Sequence, residues 1–228
     1  MGDSLNNMTK TGQDIRFLKN YINNYSKHFK KVYIFSYGKN EVVVGLPTNV
    51  FIIENNLGLH RYIYALLLPL IQLKYIKELN VLRSFHISGA LPAFFIKLFF
   101  KKPYVFNYAY NYEKFSKIEG KLFQSNLFKI VNKPICLFAD RIISANKIIH
   151  NYIGQKSEYI PNGVDITLFS PKKTKNKFTK IIAVGRLEKQ KNYFQMLDSI
   201  KPLNIDLTII GSGSQKEKIL AYAKKNNI

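Results

Sequence analysis

The chain has no tryptophan, a single cysteine and little acidic charge: 14 Asp and Glu stand against 35 Lys and Arg, a formal net charge of +21. One thiol cannot form a disulfide framework. Cys136 lies in an apolar segment without partner residues for a nucleophile, which fits a packing role and a reducing compartment. Long hydrophobic runs are also missing. The most lipid-like stretch, Tyr62 to Leu73, is too short to span a bilayer and contains Pro69, so it reads as a buried helix. Met1 to Met8 has no apolar core of signal-peptide type. Arginine is scarce within the basic set, being confined to Arg16, Arg61, Arg83, Arg141 and Arg186. Readers of nucleic acid lean on arginine for bidentate contacts, and no helix-turn-helix, zinc or stacking-sheet signature is present. Nucleic acid is therefore not an expected partner. The lysines read as solvated faces, with attraction to an anionic membrane surface as the functional alternative.

What is present is enough apolar content, 46% of 228 residues, for one large or two small cores. Ile15, Leu18, Tyr21, Ile22, Tyr25 and Phe29 recur at helical spacing. Lys31 to Tyr37 is β-branched and aromatic, closed by Gly38, and reads as a strand; Val42 to Leu46 and Val50 to Ile53 read as further short strands. A helix is expected from about His60 to Glu78, a strand over Val81 to His86, and a helix over Ala90 to Phe100. Then follow a strand from Tyr104 to Tyr108, mostly helix from Lys114 to Ala139, a strand from Arg141 to Ser144, a helix from Asn146 to Tyr152 and a strand from Glu158 to Ile160. Alternating strands and helices imply a parallel sheet covered on both faces. After the lysine-rich stretch Ser170 to Lys177, which reads as a surface linker, the pattern restarts. Strands are expected over Lys180 to Gly185 and Ile205 to Gly211, and helices over Asn192 to Ile200 and Ser214 to Asn226.

The chemistry-bearing residues cluster after that restart. The strand ends in Gly185-Arg186-Leu187, and Lys191-Asn192 follows at the next helix start. Two cations past the carboxyl end of a strand, beside a helix amino terminus, suit a diphosphate: amide groups and dipole favour negative charge, and Arg and Lys add directed and point-charge contacts. Upstream stand Ala139-Asp140-Arg141-Ile142-Ile143-Ser144-Ala145-Asn146 and Ile160-Pro161-Asn162-Gly163-Val164-Asp165 with Phe169-Ser170-Pro171. Downstream comes Ile209-Ile210-Gly211-Ser212-Gly213. Each piece alone is a common turn or loop.

In this order and spacing they resemble the family 4 ("group 1") glycosyltransferases of GT-B fold. The resemblance implies an α/β protein with an N-terminal Rossmann-like domain (1–165) lacking its first strand, and the first βαβα of a second Rossmann-like domain (166–228). It implies transfer of a sugar, with retention, from a nucleotide-sugar donor to a glycan or lipid-linked acceptor, without a cofactor or required metal. The cytoplasm is the expected compartment, with the inner face of the membrane as a docking surface. By the same resemblance Arg186 and Lys191 hold the donor diphosphate and stabilise its charge, and Gly185, Gly211 and Gly213 belong to the donor loops. Gly12, with Thr11, matches a glycine loop facing the donor from the other domain. His86, near the end of a strand and so at the carboxyl edge of the sheet, and Tyr110 and Asn111, where many members carry a histidine, are the acceptor-side candidates. Glu188 reads as a pairing carboxylate rather than a catalyst. Gly2 to Gly12 resembles the glycine loop that usually follows a domain's first strand, with no strand before it, and the paired glutamates of the family would lie beyond Ile228, so both ends read as cut. The rival expectation is an inactive remnant or half-protein that binds a complementary C-terminal partner, with an exposed sheet edge to favour pairing.

Overall fold

The computed structural model describes residues 4–10, 12, 13, 17–164, 166, 169, 170, 180–203 and 205–227. Thr11, Ile15, Asp165 and the expected linker from Pro171 to Lys177 lie outside the described residues. The chain divides into two compact units, Met1–Asn111 with Phe128–Asn162 and Tyr112–Leu127 with Gly163–Ile228.

The first unit is built of parallel strands. β1 (Val32–Phe35) pairs with β2 (Val50–Ile53), and β3 (Leu82–Ser84), β4 (Tyr104–Asn107), β5 (Arg141–Ser144) and β6 (Ser157–Tyr159) form a four-stranded sheet in that order. Side chains alternate between faces along each strand. Ile34 and Val50 therefore join Leu5, Phe17 and Ile22 on one side, where Phe85 also packs, while Phe35 and Leu82 join Tyr64, Leu68, Ile76 and Ile96 on the other. The second cluster comes from three helices, α3 (Arg61–Ile71), α4 (Leu73–Glu78) and α5 (Ile87–Phe100). Tyr104 and Phe106 are fully buried on β4, each contributing about 1.5–3 kcal/mol.

Local chemistry explains where the elements stop. Asn146 caps α8 (Lys147–Ile153) by accepting the Ile148 amide at 2.7 Å, and Gly154, at φ 78, ends it. α7 (Leu122–Phe138), which follows α6 (Tyr112–Ile118), carries Pro134 inside it. Pro92 inside α5 removes the amide that would bond the Ser88 carbonyl; the Tyr37 hydroxyl donates to that carbonyl at 2.7 Å instead. Asp140 accepts from Lys97 at 2.6 Å and from the Tyr104 amide at 2.9 Å, joining α5 to the start of β4. Burial alone would raise its pKa, but these partners outweigh it and hold the carboxyl below its ordinary value.

Several expectations are corrected. Val42 to Leu46 forms no strand; Val43 and Leu46 pack against the first core cluster, but Val42 and Val44 are 75% and 89% exposed, because β-branching alone does not supply a pairing partner. The segment read as a glycine loop holds α1 (Leu5–Lys10), whose first amides, of Leu5 and Asn6, donate to the Glu41 carboxylate at 2.9 and 2.7 Å. The helical run after it opens with a π-helical turn, Leu18–Ile22, and continues as α2 (Asn23–His28). The helix expected from His60 to Glu78 breaks at Gln72, whose buried amide donates to the Tyr64 hydroxyl at 3.1 Å. Its first half buries only one face: Tyr64, Ala65 and Leu68 are inside, while Tyr62, Ile63, Leu66 and Leu70 are exposed.

In the second unit β7 (Lys180–Val184) pairs in parallel with β8 (Asp206–Ile210), from Lys180↔Asp206 to Val184↔Ile210. α9 (Tyr193–Ile200) and α10 (Lys216–Lys225) contribute Leu197, Ile200 and Ile219 to one core with Ala183, Leu207 and Ile209 of the sheet. Among the described residues the other sheet face is uncovered: Ile182, Val184 and Ile210 are 66%, 75% and 53% exposed. Among the described residues no helix is long and apolar enough to cross a membrane.

Candidate functional site

The carboxyl ends of β7 and β8 are drawn together by main-chain contacts. The Gly185 amide donates to the Ile210 carbonyl at 3.0 Å, the Leu187 amide to the Ser212 carbonyl at 2.8 Å, and the Gln215 amide to the Leu187 carbonyl at 2.9 Å. The approach is close enough to decide residue types. A Cβ on Gly211 would stand 1.9 Å from the Gly185 carbonyl oxygen, and one on Gly213 would stand 2.5 Å from that of Leu187. Gly211 and Gly213 are therefore glycines because two backbones meet there. Gly185 is less confined: a Cβ would meet only side chains, the Tyr193 hydroxyl at 3.1 Å and the Lys191 Cε at 3.8 Å. Leu187 turns inward and is buried with Tyr193 and Leu197, which anchors the loop between them.

That anchoring sets the cations. Arg186 precedes the buried Leu187 and is exposed. The chain then makes a single helical turn over Lys189–Lys191, with the Lys191 amide on the Glu188 carbonyl at 2.9 Å, and Asn192 at φ 49 leads into α9. The turn brings the Lys191 stem back beside Gly185, so both cations stand at the carboxyl end of β7. Open α/β sheets hold ligands at this edge, and the α9 amino terminus adds its dipole. Glu188, between them in sequence, accepts from the Ser214 hydroxyl at 2.7 Å and its amide at 3.1 Å. Those hydrogen bonds hold its carboxyl below the ordinary value, with Arg186 and Lys121 adding to the effect. Glu188 thus clips the β7 and β8 loops together. Lys121, which itself pairs with Glu119 at 2.7 Å, is a third cation in this neighbourhood that sequence reasoning missed. It lies far upstream in the chain, and nothing in its local pattern marks it.

The remaining candidates belong to the first unit. His86 is exposed at the start of α5, where its carbonyl accepts the Gly89 and Ala90 amides at 3.0 and 2.9 Å. Tyr110 and Asn111 are half-buried just beyond β4, the neighbour of β3. All three follow the carboxyl ends of adjacent parallel strands. Gly12, at φ 67, makes an exposed turn after α1, its amide on the Thr9 carbonyl at 3.0 Å. Cys136 carries a thiol pushed up to about 11 by burial. Among the described residues no group of three or more His, Cys, Asp or Glu is placed to hold a metal ion.

No protein-family model matches the chain, and no curated protein matches it in sequence. Solved structures do match in fold. One is Anabaena HepE in complex with UDP and glucose, at a TM-score of 0.61 and 13% identity, covering 93% of this chain and 61% of that one. Another is the lipopolysaccharide outer core galactosyltransferase WaaB in its apo form, at a TM-score of 0.56 and 18% identity, with the same coverage of 93% and 61%. The chain spans about 61% of the length of these two proteins. At these identities the likeness concerns the fold, and the fold is that of GT-B glycosyltransferase structures.

Proposed function

We propose that the chain is part of a family 4 glycosyltransferase that moves a sugar, with retention, from a nucleotide-sugar donor to a glycan or lipid-linked acceptor. The observation that carries this reading is the Lys191 stem folded beside Gly185, next to exposed Arg186, at the carboxyl ends of two parallel strands. In that role the guanidinium and ammonium grip the donor diphosphate. As the glycosidic bond to the diphosphate breaks, charge builds on the leaving phosphate, and two fixed cations stabilise it without requiring a metal. The HepE complex with UDP and glucose supports a nucleotide-sugar as the donor class. By the family resemblance Gly12 is assigned to donor binding, and His86, Tyr110 and Asn111 to the acceptor side. The exposed Ile63, Leu66 and Leu70 on α3, with the net charge of +21, support docking on an anionic membrane, the inner face of the cytoplasmic membrane in this reading.

Titration with UDP and other nucleoside diphosphates, followed by calorimetry or NMR, tests the proposal. Losing one charged contact to phosphate is worth about 1.5–3 kcal/mol, so Arg186→Ala and Lys191→Ala should each weaken binding by roughly 10- to 100-fold. Unchanged affinity in both variants would refute it. A second reading, a half-protein that binds a complementary C-terminal partner, draws on the bare β7–β8 face formed by Ile182, Val184 and Ile210. It expects no nucleotide binding by the chain alone and binding restored on complementation.

A further inference from the structure

The first residue of α9 carries a polar group that the core does not use. Tyr193 is 4% exposed, its ring packed in one core with Leu187 of the β7 loop and with Leu197, one turn further along α9. A tyrosine side chain has few torsions, so burial of the ring sets the line along which its hydroxyl emerges. That line leads to the loop after β7. A Cβ built on Gly185 would stand 3.1 Å from the Tyr193 hydroxyl and 3.8 Å from the Lys191 Cε. The hydroxyl and the lysine stem therefore lie over the same side of Gly185, at the carboxyl end of β7 and directly before Arg186.

A buried phenol normally finds a hydrogen-bond partner. Among the described residues none is bonded to this hydroxyl. Glu188, the acid of the turn, is directed instead to the Ser214 hydroxyl and amide at 2.7 and 3.1 Å. Asn192, just before α9, turns its side-chain amide to Gln195 at 2.5 Å and caps none of the first-turn amides. The groups gathered about Gly185 can thus all donate: guanidinium, ammonium, phenol and uncapped amides. Such a set suits an anion rich in acceptor oxygens. We propose that the Tyr193 hydroxyl is a further ligand of the donor diphosphate, donating a hydrogen bond to a phosphate oxygen beside Lys191. The assignment rests on the reading of Arg186 and Lys191 as diphosphate ligands and adds a neutral, directional contact to their charge. The phenol is ordered by the core before the ligand arrives, whereas the two long cations must be ordered on binding. As charge builds on the leaving diphosphate, this hydrogen bond strengthens with it.

Tyr193→Phe keeps the ring in the core and removes only the oxygen. Calorimetric titration of the full chain with UDP and with inorganic pyrophosphate should show binding about 10-fold weaker in this variant for both, the low end for a hydrogen bond to a charged group. Its thermal midpoint should stay within about 2 °C of the parent's. Tyr222→Phe, which loses a phenol bonded to Asp198 at 2.6 Å in the same unit, is the control and should bind as the parent does. A second measurement needs no variant: the aromatic NMR signals of Tyr193 in the parent should move on adding pyrophosphate and stay in place on adding uridine, which carries no phosphate. Binding lost in Arg186→Ala or Lys191→Ala but undiminished in Tyr193→Phe overturns the inference and leaves the diphosphate reading standing. Tyr193 signals that do not move while pyrophosphate binds, or an equal loss in Tyr222→Phe, overturn it in the same way. A parent chain that binds neither UDP nor pyrophosphate overturns both.

Discussion

Replacing Gly211 by alanine probes how the β7 and β8 loops are held. The added Cβ would lie 1.9 Å from the Gly185 carbonyl oxygen, whereas ordinary contact begins at 3.4 Å, so the two backbones must part by about 1.5 Å. A shift of that size breaks the 3.0 Å bond from Gly185 to Ile210 and the 2.8 Å bond from Leu187 to Ser212. At about 0.5–1.5 kcal/mol for each bond and about 1–3 kcal/mol for overpacking, the loss is about 2–6 kcal/mol. Because the chain divides into two compact units, urea unfolding should be followed by exchange of the β8 amides as well as by circular dichroism. Gly163→Ala is the control: nothing lies within 4 Å of its Cβ, and a change within about 0.5 kcal/mol is expected. Gly185→Ala should cost under about 1 kcal/mol, since only the movable Tyr193 hydroxyl and Lys191 stem need yield. If Gly211→Ala is as stable as the parent, or Gly185→Ala is the worse of the two, the account of these loops is wrong.

Asp140→Asn should destabilise the first unit at neutral pH. Because the folded pKa is lowered, the carboxylate's contribution is present above the ordinary carboxyl value and lost as pH falls through the folded one, so parent and variant should converge in acid. Urea midpoints from pH 6 to pH 3 check this; a constant gap would contradict it. Asn146→Ala removes the cap on the Ile148 amide and should cost about 1 kcal/mol in chemical denaturation, with Asp at the same position retaining most of it. The Cys136 thiol, raised from 9.0 to about 11, should react with iodoacetamide at pH 8 about a hundredfold more slowly than an unperturbed thiol, and at the normal rate once unfolded in urea.

Much of this protein was legible in short stretches of sequence. Lys31 to Tyr37, Tyr104 to Tyr108 and Arg141 to Ser144 announce buried parallel strands because an apolar β-branched run can satisfy few other environments. The segment Gly185-Arg186-Leu187 with Lys191 could be placed at a strand end because the strand, the turn and the helix after it are all local. Val42 to Leu46 misled for the same reason: its propensity is local, but a strand needs a partner, and among the described residues no strand pairs with it.

What only the tertiary structure decided are the relations between distant residues. α1 forms where a loop was expected because its amides find Glu41, 36 and 35 positions away in the chain. Gly211 is required because Gly185 of the other loop lies against it, and Lys121 joins Arg186 around Glu188 from another part of the chain. Periodicity and turn chemistry act over a few residues and so determined the kind and order of the elements; caps, close backbone approach and charge neighbourhoods act through space, so only the assembled fold could settle them.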